Sequence, residues 1–226
     1  MSVTVPVRSV ALVALLLVAC GGAAAPAPTT AASSASAAPT GTISAAGPWT
    51  FTVDASSKAT VRVREVLAQI RAPGDAVLTA AGVKGSVTLN ADGTFSASSK
   101  MTIELSALTS DQRQRDQYIK DSVLETRRFP TAVFIPTKAS GLTLPLPASG
   151  DLRLALTGDM TIHGVTKTVT FTVTATRAGS RLTATATADP SWKFGDFGMA
   201  VPRTISVLSV EDDIRLEIAL VATETG

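Results

Sequence analysis

The stretch Thr161-Ile-His-Gly-Val-Thr-Lys-Thr-Val-Thr-Phe-Thr-Val-Thr-Ala175 decides the fold. From Val169 the residues alternate strictly: Val169, Phe171, Val173 and Ala175 on one phase, threonines on the other. A period of two with β-branched residues predicts a half-buried antiparallel strand. Upstream, Leu152, Leu154 and Leu156 lead in the same phase toward Met160 and Ile162. Between the two runs stands His163-Gly164, a link short enough for a tight hairpin. The chain's single histidine therefore falls at a turn.

The same period recurs outward in both directions. Trp49, Phe51 and Val53 alternate with Thr50, Thr52 and Asp54, and Val61, Val63 and Glu65 alternate with arginines. Ile214, Leu216, Ile218 and Leu220 repeat the pattern near the C-terminus. Asn90–Gly93 and Arg177–Ser180 read as hairpin links, because glycine tolerates positive φ. About eight strands between Trp49 and Ala222, without helix–strand alternation, predict an all-β barrel or sandwich. The one polar excursion is Leu108–Pro130. Its Ser110–Ser122 core is expected to be helical, with Ser110 or Asp111 as N-cap. Strand Thr131-Ala-Val-Phe-Ile-Pro136 follows.

Of the 226 residues, 45% are hydrophobic, 4% aromatic and 17% charged, which suits one domain plus extra segments. A net charge of +2 gives no electrostatic case for nucleic acid. One Cys and one His exclude an intrachain disulfide and a Cys/His zinc cluster within one chain. No G-x-S-x-G elbow accompanies His163, and Asp159 is its nearest acid along the chain. No catalytic residue is assigned. His163 and the pair Arg115-Asp116 are candidates either for contact with a ligand head group or for structure. Arg suits a pyrophosphate through its planar fork, whereas the structural alternative has the pair pin the helical excursion to the barrel. Glu211-Asp212-Asp213 reads as a solvated strand entry, because hard-cation loops space their oxygen ligands more widely. Trp192, Phe194 and Phe197 are expected to line the interior or to fill a barrel end.

The N-terminus carries Arg8 and then an apolar run from Val10 to Ala19. Ten residues are too few for a membrane span, which needs about 20, but suit an export signal. Leu17-Val18-Ala19-Cys20 resembles a bacterial lipobox, which implies a signal peptide over 1–19 and acylation of Cys20. In residues 21–48 all but Ile43 are Ala, Gly, Pro, Ser or Thr, so residues 20–48 are expected to form a disordered tether. A 28-residue flexible coil spans roughly 30 Å root-mean-square.

Three blocks carry a family resemblance. Arg115-Asp116-Gln117-Tyr118-Ile119, followed by Leu124 and Phe129-Pro130-Thr131, resembles the SxxRDxxI…LxxxxFPT block of the YceI-like family. Leu156–Lys167 is similar to that family's G-x-LTIHGVTK signature, and Phe194–Met199 to its late dFGM element. The order and spacing agree over residues 49–222, leaving 223–226 as a tail. One departure is Arg64-Glu65, where many members carry a histidine. The resemblance implies an extended eight-stranded, lipocalin-like antiparallel barrel holding a long polyisoprenoid, such as a prenyl pyrophosphate or quinone, in an apolar tunnel. No other cofactor is implied. Val63, Ile103, Phe134, Ile162, Phe171 and Leu216, on the apolar phases of their strands, are then expected to line the tunnel. The implied partners are the isoprenoid and, through Cys20, a bacterial membrane on its extracytoplasmic side, with secretion as the alternative location. Competing functions are a solidly packed interaction module and a lipid or cell-wall hydrolase.

Overall fold

A computed structural model describes residues 46–225. The signal peptide, Cys20 and all of the tether before Ala46 lie outside the described residues, as does Gly226. The described chain forms β1 (Trp49–Val53), β2 (Lys58–Leu67), β3 (Pro73–Ala81), β4 (Val83–Leu89), β5 (Lys100–Glu104), β6 (Leu108–Thr109), α1 (Arg113–Tyr118), β7 (Thr131–Ser140), β8 (Ser149–Ile162), β9 (Val165–Ala178), β10 (Arg181–Ala188) and β11 (Val207–Glu224).

These segments build eight staves of a closed antiparallel barrel, three of them broken once. β1 and β2 both pair with β11, β1 at Ala222–Glu224 and β2 from Val207 to Ala219. β3 and β4, separated by Gly82, pair with β2 and β1 respectively. β5 and β6, joined by the 3-10 turn Leu105–Ala107, pair with β4 and β3. β7 pairs with β5, and β8 to β11 follow in order, each beside its predecessor. The pairing of β1 with β11 closes the sheet, and the two-residue β6, paired on one side with β3, is left as its end.

The decisive stretch folds as its period predicts. On β9, Val169, Phe171, Val173, Ala175 and Arg177 are buried. The threonines between them form cross-strand pairs on the outer face, such as Thr174 with Thr185. Ile162 pairs with Val165, so His163-Gly164 is a two-residue hairpin loop with φ of 51° and 75°. Positive φ at both loop positions matches the twist of the flanking strands. Glycine at 164 also leaves room: a Cβ there would stand 2.7 Å from Cε1 of Phe129.

The polar excursion is only partly the helix expected. α1 covers six residues and continues into a π-helical turn, Ile119–Val123. The N-cap is Gln112, without a side-chain cap, rather than Ser110 or Asp111. The cause is competition. Asp116 accepts hydrogen bonds from the Ser110 amide (2.8 Å) and hydroxyl (2.6 Å), and Ser110 Oγ accepts from the Gln112 amide (3.1 Å), which forms a turn ahead of the helix. Asp111 is turned onto Arg115.

The C-terminal boundary also differs. β11 runs through Glu224, so two residues assigned to the tail complete the barrel. Glu224 N–H donates to the Ser180 carbonyl and Thr225 N–H to that of Thr50.

Candidate ligand-binding interior

Two apolar cavities share the axis of the barrel. The cavity nearer α1, about 110 Å³, is walled by residues that include Val63, Leu78, Ile103, Ile119, Ile162 and Leu216. The other, about 140 Å³, is walled by residues that include Phe134, Leu152, Leu154, Phe171, Leu182 and Leu220. Buried alanines on the inner face of β10 (Ala184, Ala186, Ala188) keep that side of the interior wide.

The six residues expected to line one tunnel therefore fall into two chambers: Val63, Ile103, Ile162 and Leu216 in one, Phe134 and Phe171 in the other. An aromatic row stands at the boundary. Phe134 meets Phe171 edge-on at 5.3 Å between ring centroids, Phe171 meets Trp192 at 5.9 Å, and Trp192 meets Phe197 at 5.2 Å. The row exists because Gly158, opposite on β8, has no side chain: a Cβ there would lie 2.5 Å from Cζ of Phe134. Trp192, Phe194 and Phe197 all wall the cavity nearer α1.

A third pocket, about 420 Å³, opens at the α1 end. It shares Val63, Leu78, Ile119 and Phe194 with the adjoining apolar cavity, and it adds polar groups from Glu65, Gln69, Gln112, Gln114, Arg115 and Tyr118. Arg115 Nη2 lies 2.5 Å from Glu65 Oε1, and the two side chains are 12% and 8% exposed. Its other terminal nitrogen holds Asp111. The Arg115 fork is thus occupied by two carboxylates and ties α1 to β2. Asp116 is engaged with Ser110.

His163 also stands at the α1 end. Its Nδ1 is 3.3 Å from the Phe197 carbonyl, and its ring packs edge-on to Phe129 at 4.8 Å. Nε2 is buried and lies 3.4 Å from Glu125 without a well-aligned hydrogen bond. These contacts fasten the hairpin to neighbouring segments. The acids expected at a strand entry lie inside β11, at the register shift between Val210 and Ile214, and have the same kind of task. Asp212 accepts from the Phe194 amide at 2.8 Å, while Asp213 holds Ser191. Asp196 binds Lys167 and the Lys193 amide, and the Lys167 hydrogen bond holds its carboxyl below the usual range. Among the described residues, no three His, Cys, Asp or Glu side chains gather as a metal site.

Sequence reading missed a buried ion pair at the opposite end. Arg177 and Glu224 are bound to each other with side chains 0% and 3% exposed. Arg177 also donates to the carbonyls of Gly179 and Pro147, both at 3.0 Å, and lies over the Phe51 ring. The signal was present: both residues sit on the inward phase of their strands.

A closed up-and-down barrel with an apolar inner face and one polar pocket at its α1 end is of the lipocalin-like class. The chain belongs to the YceI-like family, whose domain profile matches residues 49–222. A UPF0312 protein of Pseudomonas putida is 35% identical over 92 residues, which cover 37% of this chain and 44% of that protein. Among solved structures, a polyisoprenoid binding domain from Saccharophagus degradans, implicated in plant cell wall breakdown, aligns over 77% of this chain and 98% of its own. Its TM-score is 0.58 at 13% identity. BcnA of Burkholderia cenocepacia aligns over 76% of this chain and 99% of its own, with a TM-score of 0.51 at 22% identity. At these identities the likeness is one of fold.

Proposed function

We propose that the barrel holds one long isoprenoid lipid along its axis, outside the cytoplasm, and is tethered to a membrane through an acylated Cys20. The observation that carries the ligand reading is the pair of apolar cavities along the axis, the one nearer α1 meeting the polar pocket at that end. The polyisoprenoid binding described for the Saccharophagus degradans domain supports the same ligand class. Burial of apolar carbon contributes about 0.8 kcal/mol per methylene before ordering costs, so binding needs no reactive group. The aromatic row favours a second reading, an interaction module with a packed centre.

Titrating prenyl compounds of increasing length separates the two. Each added isoprene unit is expected to tighten binding until the interior is full, with a gain per unit well below the transfer value. A response that is flat with length would leave the packed module standing. The tether is tested separately: Cys20→Ser is expected to move the protein from the membrane fraction to the soluble one, and equal membrane association of mutant and parent would end that reading.

A further inference from the structure

We infer that the pocket at the α1 end selects lipids with an uncharged head group and rejects prenyl phosphates, and that Glu65 sets this selectivity. The inference rests on the lipid-binding reading above and deepens it. A lipid entering the apolar cavity tail-first leaves its head in this pocket, because the two share walls at Val63, Leu78, Ile119 and Phe194. The charged side chains in the pocket wall are Glu65 and Arg115. Arg115 is the cation a phosphate would seek, but one nitrogen is held by Glu65 and another by Asp111. The two charges of the pocket wall cancel, so no cation there is free for a phosphate.

A diphosphate arriving there has two unfavourable options. It can sit beside the intact, neutral pair and lose hydration without gaining a counter-charge. It can displace Glu65 from Arg115, which strands a buried carboxylate without its counter-charge. Arg177, at the far end, is no alternative: its guanidinium is committed to Glu224 and to the carbonyls of Gly179, Leu146 and Pro147. Arg71 and Arg203 are exposed and outside the pocket wall, where water and salt screen them. The uncharged lining suits a neutral head. Gln69, Gln112, Gln114, Thr204 and Ser206 offer amide and hydroxyl groups that can donate to or accept from an alcohol or quinone oxygen. Glu65 therefore acts against one ligand class by occupying the Arg115 fork, and the same pairing holds α1 in place.

The test compares octaprenyl alcohol with octaprenyl diphosphate, equal in tail, on the full-length protein. The alcohol is expected to bind at least about tenfold more tightly. Glu65→Gln removes one negative charge, frees the Arg115 fork and is expected to close most of the gap by tightening the diphosphate more than the alcohol. Asp111→Asn, at an exposed residue, is expected to narrow it by a smaller factor and serves if the first variant folds poorly. Diphosphate binding the parent as tightly as the alcohol, or a gap unmoved by either substitution, overturns the inference but leaves the lipid reading intact. Binding of neither compound overturns both.

Discussion

Deleting residues 223–226 is expected to destabilise the barrel by about 3–5 kcal/mol, the usual cost of removing one partner from a buried ion pair. These residues resemble a dispensable tail, and the family profile ends at 222. Yet Glu224 is the counter-charge of Arg177, whose side chain is wholly buried. Without it the guanidinium keeps the carbonyl oxygens of Leu146, Pro147 and Gly179 and the Phe51 ring, but no counter-charge. The deletion also removes the pairing of Thr223 with Thr52 and Arg181, where the barrel closes. Glu224→Gln preserves the backbone and isolates the charge. It is expected to cost at least about 1.5 kcal/mol, because a neutral amide oxygen replaces a charge-assisted acceptor. Denaturant unfolding of the three proteins reads both values. An unchanged midpoint for the deletion would mean that Arg177 finds compensation elsewhere.

Phe171→Ala is expected to lower the stability of ligand-free protein by about 3–5 kcal/mol, in the range of a large aromatic lost from a core. Phe171 is 2% exposed and is the link between Phe134 and Trp192. Its removal takes the middle out of the aromatic row and joins the two cavities. For a packed module that is only damage. For a lipid barrel it also creates a continuous channel, so a long prenyl compound should restore much of the lost stability through linkage. Unfolding with and without saturating octaprenyl alcohol distinguishes them. Equal destabilisation in both conditions is the result expected of the packed module.

The legible features were those written in local period. Alternation on β8, β9 and β11 placed Ile162, Phe171 and Leu216 on the inner face, and the two-residue link after Ile162 located the hairpin. Features that depend on which strands become neighbours were not legible. The split of the interior rests on Gly158 facing Phe134 across a strand pair, and a glycine within an alternating run gives no sign of the ring that fills its place. Arg177 and Glu224 each lie in the inward phase, but their meeting requires the order β9, β10, β11. Glu65 was read only as continuing the alternation of β2, and Arg115 as a pair with Asp116. Only the fold makes each the partner of the other. The start of α1 was misplaced because Ser110 and Asp116 satisfy one another before the helix begins.

The described chain enters at Trp49 and leaves at Glu224 from the same end of the barrel, opposite the pocket that holds Glu65 and Arg115. β9 alone, with 14 residues, rises roughly 45 Å along its own direction before tilt. A fluorescent reporter or surface-coupling tag attached after Thr225 would therefore sit a barrel's length from the head-group pocket. Immobilised through that tag on a sensor chip, the molecule would present its open end to the flow, so that prenyl lipids could be delivered and withdrawn without crossing the attachment layer.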